Sequence, residues 1–309
     1  MTADELNEQC IARLQQADLS RCIAVVGSGP SRPYIAPIST LEELLANRCG
    51  IVKEQDETFW NFAQRAHVAN PNQYFDVIRQ TYGDTPYWSA DVYLHLVTMP
   101  FKGFATFNYD DQLPKAFRRR YPKTYAQFFS VYPPHGDNHY FGPLELLSSP
   151  PRLIALHGYC DPTNPAWEQQ AILRTDDYNQ HYGTAPALLF EWWRNLLLAA
   201  PCLFIGTSLT EPGLFRVIQY LLPNYRDMLD GLRHIHLVDV EAEIYEPPDQ
   251  PGRSMAIIEQ VCYDRIDPRY SGLLRVLSEF STLPTDPPTP RVPALKPITP
   301  TDKFDFTSP

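Results

Sequence analysis

Ala105-Thr106-Phe107-Asn108-Tyr109-Asp110 is an apolar run that stops abruptly at polar residues, and Ala155-Leu156-His157-Gly158-Tyr159 repeats the pattern further along the chain. A buried parallel strand reads this way where its C-terminal end opens into a cleft. Ligands of open α/β sheets bind beyond the carboxyl ends of the strands. The pattern therefore predicts that Asn108 and His157 stand at one site although they are far apart in sequence.

Working outward, Cys22 to Val26 is too short and too β-branched for anything but a buried strand, and it ends in Gly27-Ser28-Gly29-Pro30-Ser31. Leu6, Cys10, Ile11 and Leu14 form a helical stripe before it. Ser39-Thr40-Leu41-Glu42 reads as a capping box that starts a helix. Three more helical stretches follow: Glu57 to Val68, Asn70 (N-cap, with Pro71 first inside) to about Tyr82, and Ser89 to Met99. Helices without a strand between them predict a helical module, about 54–100, inserted into the sheet. Beyond it, strands are expected at Phe104–Phe107, Gln127–Tyr132, Leu153–Leu156, Cys202–Ile205, His234–Val238 and Ala256–Val261. Helices are expected at Gln112–Arg118, Ala185–Ala199, Leu214–Leu222 and Arg269–Phe280, with a Pro/Gly-rich loop over 133–151 that holds a short helix at best. Strands alternating with helices imply an α/β fold, a Rossmann-like doubly wound parallel sheet. We expect one domain over 1–281. A Pro-rich tail, 282–309, is expected to be disordered on its own; it is read as inert or, with Phe304 and Phe306 as anchors, as a docking strap.

The bulk numbers narrow the function. The chain has 309 residues and a formal net charge of -10, which disfavours direct nucleic-acid binding because phosphate backbones are repelled. None of its six cysteines is spaced as CxxC, so no zinc-ribbon module and no metal are expected. Cys22, Cys202 and Cys262 lie in or beside apolar runs, which suits a reducing, cytoplasmic setting. Met1 to Cys10 is too polar for a signal peptide, and no apolar run approaches the ~18 residues of a membrane span.

Read from residues alone, each polar strand end has a plain structural alternative. Gly27-Ser28-Gly29 lets backbone amides approach a diphosphate, or is simply a tight turn; Arg32 stands where a third glycine would complete GxGxxG. Asn108 holds a water or a ribose hydroxyl, or caps a helix, although Asp110 and Asp111 are better placed to cap. His157 acts as a general base, or is hydrogen-bonded within its loop. Gly206-Thr207-Ser208-Leu209 offers amides and hydroxyls to a phosphate or ribose, and Asp239 receives ribose hydroxyls or sits in an ordinary turn. The His135/His139 and His234/His236 pairs lack a third ligand, and Arg118-Arg119-Arg120 reads as a solvated helix end.

Four of these stretches occur together in the sirtuin-like family, in the family's order: Gly27 to Ser31, Thr106 to Asp110, Leu156-His157-Gly158 and Gly206 to Leu209. Thr175-Asp176-Asp177-Tyr178 is similar to the Thr-x-x-Asp-Tyr segment of the bacterial defence branch. The resemblance spans Cys22 to Phe280. It implies NAD at the C-terminal edge of the sheet, with Gly27, Ser28 and Gly29 at the diphosphate. Asn108 would position a water, His157 would contact or deprotonate a ribose hydroxyl, and Thr207 and Ser208 would hold the adenosine side. Ser31, Thr106, Asp110 and Gly206 belong to the same motifs, and Asp239 completes the expected NAD-binding set.

Two departures sort the family's branches. Protein-deacylating sirtuins carry paired CxxC zinc cysteines and an Ala-Gly-Ile-Pro-x-Phe-Arg stretch, and both are missing here. The chain thus resembles the anti-phage branch, the NADases of Thoeris, defence-associated sirtuins and sirtuin–HerA systems. Two smaller departures are Glu211, where Asp is expected, and Gly-Ser-Gly for Gly-Ala-Gly. The resemblance implies an abortive-infection effector that splits NAD into nicotinamide and ADP-ribose. It would act as a homo-oligomer, activated by assembly or by a separate ATPase or sensor subunit such as a HerA-like motor. A non-catalytic NAD or ADP-ribose sensor and an NAD-dependent deacylase are the alternatives.

Overall fold

The first helix, α1 (Ala3–Gln15), starts on a reciprocal cap between Thr2 and Glu5 and buries Leu6, Cys10, Ile11 and Leu14, the stripe that its spacing predicts. The computed structural model describes residues 2–31, 35–83, 90–134, 140–161, 164, 167–183, 187–207, 209, 211–240, 258–267 and 270–282. The His135/His139 pair, Ser208 and the tail beyond 282 lie outside these residues.

After β1 (Ile23–Val26) the described residues form four α-helices, α2 (Ile38–Cys49), α3 (Phe59–Ala69), α4 (Pro71–Ile78) and α5 (Asp91–Leu96), with a π-helical segment, Arg79–Gly83, continuing α4. The Ser39 capping box is not used. Pro37 is the N-cap, with a φ of -68° and no N–H to satisfy, and the helix begins at Ile38. Asn70 does cap α4, accepting from the Gln73 N–H at 3.3 Å, with Pro71 first inside.

The chain continues through β2 (Gly103–Thr106), α6 (Gln112–Arg120), α7 (Tyr125–Phe128), β3 (Phe129–Val131), α8 (Pro143–Leu146), β4 (Arg152–Ala155), α9 (Trp167–Gln170), α10 (Thr175–Tyr182), α11 (Leu188–Ala199) and β5 (Cys202–Ile205). It ends with α12 (Pro212–Asp230), β6 (His234–Asp239), β7 (Ile258–Tyr263) and α13 (Ser271–Ser278). The strand expected from Gln127 starts at Phe129, because Gln127 and Phe128 donate to Thr124 O and complete a helical turn first. The helix expected to stop at Leu222 runs past Pro223, and the backbone breaks only at Tyr225 (φ -139°, ψ 24°). Proline removes one donor and displaces its turn, so the helix kinks without ending.

All seven strands pair in parallel, in the order β3-β4-β2-β1-β5-β6-β7. Alternate residues of each strand feed opposite layers. Ala24, Val26, Phe104 and Ile205 pack with residues of α1, α5, α6 and α13, while Ile23, Val25, Ala105 and Phe204 pack with residues of α11 and α12. Each fully buried aliphatic side chain contributes ~1.5–3 kcal/mol, so a central strand covered on both faces is fixed in register. The strand order reverses between β1 and β5, which makes the cleft beyond their carboxyl ends the switch point.

Helices α2, α3 and α4 build a separate apolar cluster from Leu41, Leu45, Phe62, Ala66, Tyr74 and Val77. Cys160, Trp167, Ala171 and Leu173, from the chain after β4, close it. Helix α5 instead packs on the sheet through Val92, Tyr93 and Leu96. Among the described residues no helix is long and apolar enough to cross a membrane.

Candidate functional site

The floor of the switch-point cleft is backbone against backbone. Gly27 N–H donates to Ile205 O at 2.9 Å, and Gly29 N–H donates to Gly206 O at 2.8 Å. A Cβ on Gly27 would lie 2.5 Å from Gly206 O, and one on Gly29 would lie 2.7 Å from Gly206 Cα. Gly206 itself has a φ of +64° and faces Pro30, whose Cδ would be 2.2 Å from an added Cβ. The glycines are thus required by the meeting of two turns. Gly27 and Gly29 have committed their amides to that contact, and Ser28 is the exposed member of the trio. Thr207 serves its own turn, its Oγ1 accepting from Leu209 N–H at 3.1 Å, while its carbonyl receives His236 Nε2–H at 2.7 Å.

From the end of β2, the chain alternates sides. Asn108 points toward β1 and α5. Its Nδ2 donates to Gly27 O at 3.1 Å and to Tyr93 Oη at 3.2 Å, and its N–H donates to Thr106 Oγ1 at 3.1 Å. Thr106 Oγ1 in turn donates to Val26 O at 2.9 Å. Tyr93 Oη lies 2.5 Å from Ser31 Oγ, which donates to Asp110 Oδ2 at 3.0 Å. Asp110 Oδ1 accepts from Gln112 N–H at 3.0 Å. Ser31, Tyr93, Asn108 and Asp110 are all buried. Burial pushes the Asp110 carboxyl up to about 6, against the pull of the Gln112 N–H and the Ser31 hydroxyl. Both Nδ2 protons of Asn108 are used, so Oδ1 is the atom left without a partner among the described residues. It is an acceptor, suited to fixing one proton of a water.

Phe107 and Tyr109 point the other way, onto His157, at ring-centroid distances of 5.0 and 6.3 Å. His157 is 1% exposed. Its Nε2 is 2.9 Å from Tyr182 Oη and its Nδ1 is 3.4 Å from Tyr178 Oη. Glu211 Oε1 lies 3.8 Å from Nε2. Burial pushes the imidazole down to about 3, so His157 is neutral at physiological pH. The same burial pushes the Glu211 carboxyl up to about 7, opposed by the Leu214 and Gly213 N–H groups that it caps at the start of α12 and by the Tyr178 hydroxyl.

Helix α3 positions α10, which carries both tyrosines. Thr175 Oγ1 donates to Asn61 Oδ1 at 2.5 Å, and Asp176 N–H donates to Gln64 Oε1 at 3.4 Å. Arg174 holds Asp177 at 2.6 Å and reaches the His67 ring. The loops after β2 and β4 are laced together by Leu156 N–H to Thr106 O (2.8 Å), Cys160 N–H to Tyr109 O (2.7 Å) and Tyr109 Oη–H to Ile172 O (2.7 Å).

The structure therefore brings the Asn108 and His157 backbones to one strand-end ledge, but sends their side chains into different networks. Asp239 ends β6, two strands from β1, with Arg265 Nε at 3.6 Å. Tyr93, Tyr178 and Tyr182 escaped the sequence reading as site residues. Tyr178 stood in a motif, but nothing local marks Tyr93 or Tyr182, which reach the site only through helix packing. Among the described residues no group of three His, Cys, Asp or Glu side chains could hold a metal ion, and all six cysteines are free.

Residues 102–254 match the family model for the SIR2-like domain. The match starts at the edge of β2 and takes in the Asn108, His157 and Gly206 loops, but not the Gly27 turn. It supports a sirtuin-like family and an NAD-related activity in general. No curated protein matches the chain.

Proposed function

We propose, taking the SIR2-like domain as the premise, that the chain is an NAD glycohydrolase that cleaves NAD into nicotinamide and ADP-ribose. The observation that carries this reading is the shared ledge: the loops of β2 and β4, adjacent strands, present Asn108 and His157 at the switch point of a Rossmann-like sheet. The bond between the ribose C1′ and nicotinamide breaks with its electron pair leaving on nicotinamide, which is already cationic and needs no acid. The protein must hold the ribose and supply a water. Asn108 Oδ1 accepts one proton of that water and sets its direction. The His157 side takes the proton released when the water oxygen bonds to C1′. Ser28 and Thr207 would serve the phosphates, and Asp239, further along the strand ends, a ribose.

The biological reading follows the same resemblance: a bacterial anti-phage effector, restrained until it assembles into a homo-oligomer or meets a separate ATPase or sensor subunit. The test is incubation of the purified chain with NAD, with and without the product of the neighbouring gene, assaying nicotinamide and ADP-ribose. Their stoichiometric release supports the reading. NAD binding without turnover in either setting favours a sensor module instead, and consumption of NAD only with an acyl-lysine peptide favours a deacylase.

A further inference from the structure

A fully buried imidazole is a poor base, and the geometry around His157 shows how it could become a better one. Glu211 is the carboxylate within ion-pair reach, 3.8 Å from Nε2. Both of its oxygens are held by the first N–H groups of α12, Oε1 by Gly213 at 3.0 Å and Oε2 by Leu214, so its place is fixed. Tyr178 ties the two groups together, with its hydroxyl at His157 Nδ1 and bonded also to Glu211. A hydroxyl that donates to Glu211 is left to accept from Nδ1–H. Nε2 then accepts from Tyr182 Oη–H at 2.9 Å, with Glu211 on the same side.

We propose that Glu211 is the positioning residue that gives His157 its basicity, the two acting as one proton-accepting unit. The inference rests on the NAD glycohydrolase reading for its catalytic consequence, but not for its chemistry. When a water O–H bond breaks and its oxygen bonds to C1′, the water's proton passes to Tyr182 Oη as the Tyr182 proton moves onto Nε2, and the C1′–nicotinamide electron pair leaves with nicotinamide. The imidazolium so formed faces Glu211 Oε1, whose charge stabilises it in a site without bulk water. The proton then passes to solvent, and the net reaction releases one proton per NAD. The other ionisable groups around the pair are Tyr109, Tyr178 and Tyr182, with Arg216 from α12 facing Glu211 and His181 from α10 facing His157. The tyrosines stay neutral because burial pushes all three well above 10, and burial holds His181 below its ordinary value, so near pH 7 the proton inventory belongs to His157 and Glu211.

Two measurements test this on the full chain. In the first, kcat and KM for NAD are followed from pH 5 to 9. The rate should rise with pH through an inflection near 7, as the pair loses its shared proton. Glu211→Gln keeps an acceptor for the α12 cap but not the charge. It should lower kcat about 10²-fold, leave KM within about 2-fold, and remove the inflection, with Glu211→Asp recovering part of both. An inflection that survives in Glu211→Gln, or a raised KM with kcat intact, overturns the proposal. In the second, the His157 ring resonances, assigned by their loss in His157→Asn, are titrated by NMR without NAD. They should move through the same inflection in the wild type and not in Glu211→Gln; flat wild-type resonances overturn the pairing. A wild-type chain that never hydrolyses NAD sinks the glycohydrolase reading, while the resonances still decide whether the two groups form a unit.

Discussion

The two sides of the β2 strand end solve the same problem, a polar group deep in a sheet, in opposite ways. On the Asn108 side every bond is directional: amide to tyrosine, tyrosine to serine, serine to carboxylate, ending on a backbone N–H. On the His157 side the imidazole sits among rings, with Phe107, Tyr109, Tyr178 and Tyr182 around it and a carboxylate at ion-pair rather than hydrogen-bond distance. The first arrangement holds an orientation. The second leaves a proton position undecided. The proposed hydrolysis would need both, a water that is aimed and a water that can be deprotonated, and would draw them from the loops of two adjacent strands.

The sharpest way to break this comparison is to remove each side in turn. Asn108→Ala and His157→Ala should each lower NAD hydrolysis by about 10²-fold or more, with circular dichroism and thermal unfolding showing a folded chain. Near-wild-type turnover in both variants would leave the ledge without its proposed role. The next effect concerns the floor that both sides share. Gly206→Ala places a side chain at φ +64° against Pro30 and should cost about 3 kcal/mol or more in urea unfolding, since the left-handed conformation alone costs about 1–2.

The pH dependence of stability should separate Asp110 from His157 by sign. Asp110 has its folded value raised from 3.8 to about 6. The stability tied to its neutral form is complete below pH 3.8 and is lost as pH rises through about 6, by roughly 3 kcal/mol. Asp110→Asn should therefore gain on the wild type as pH rises across that window. His157 has its folded value lowered from 6.5 to about 3, so its stability is present above pH 6.5 and is lost as pH falls toward 3. His157→Gln should therefore lose less than the wild type on acidification. Melting curves at pH 4, 6 and 8 for the three chains decide both signs. The smallest expected effect is Thr106→Val, which removes the hydroxyl between Val26 O and Asn108 N–H and should cost about 1–2 kcal/mol in the same unfolding assay.

The strand ends were legible because a parallel strand buried on both faces must be apolar until it meets the cleft, and Thr106, Asn108 and His157 mark that boundary in the sequence itself. The interlocking turns were half legible. Gly27, Gly29 and Gly206 announced a special backbone, but an empty Cβ position does not say whether it admits a phosphate or another turn. Here the neighbour is the other turn. Tyr93 and Tyr182 were hidden because α5 and α10 are short amphipathic helices in which a buried tyrosine reads as ordinary core. Only the packing of α5 on α6 and α13 and of α10 on α3 turns their hydroxyls toward the site. Glu211 was visible as a motif residue but not as a partner, since its distance to His157 depends on the register of β4 and β5 on either side of β1 and β2. Asn70 kept its cap, but the Ser39 cap failed for a simpler reason. Ser39 and Glu42 satisfy a pattern, yet Pro37 sits ahead of them and starts the helix first.

The interlock of the two turns bears on how such a site can diversify. Its contacts are main chain to main chain, and its specification consists of side chains that are missing. Substitution at Gly27, Gly29 or Gly206 can only obstruct the meeting of the turns, so this part of the cleft offers selection nothing to adjust. Variation in what the cleft accepts, or in how fast it works, must come from the walls: residues 107–111, 157–160, α10 and the start of α12. A lineage built on this frame would keep its floor and rewrite its walls, and a new specificity could arise there without disturbing the sheet that carries it.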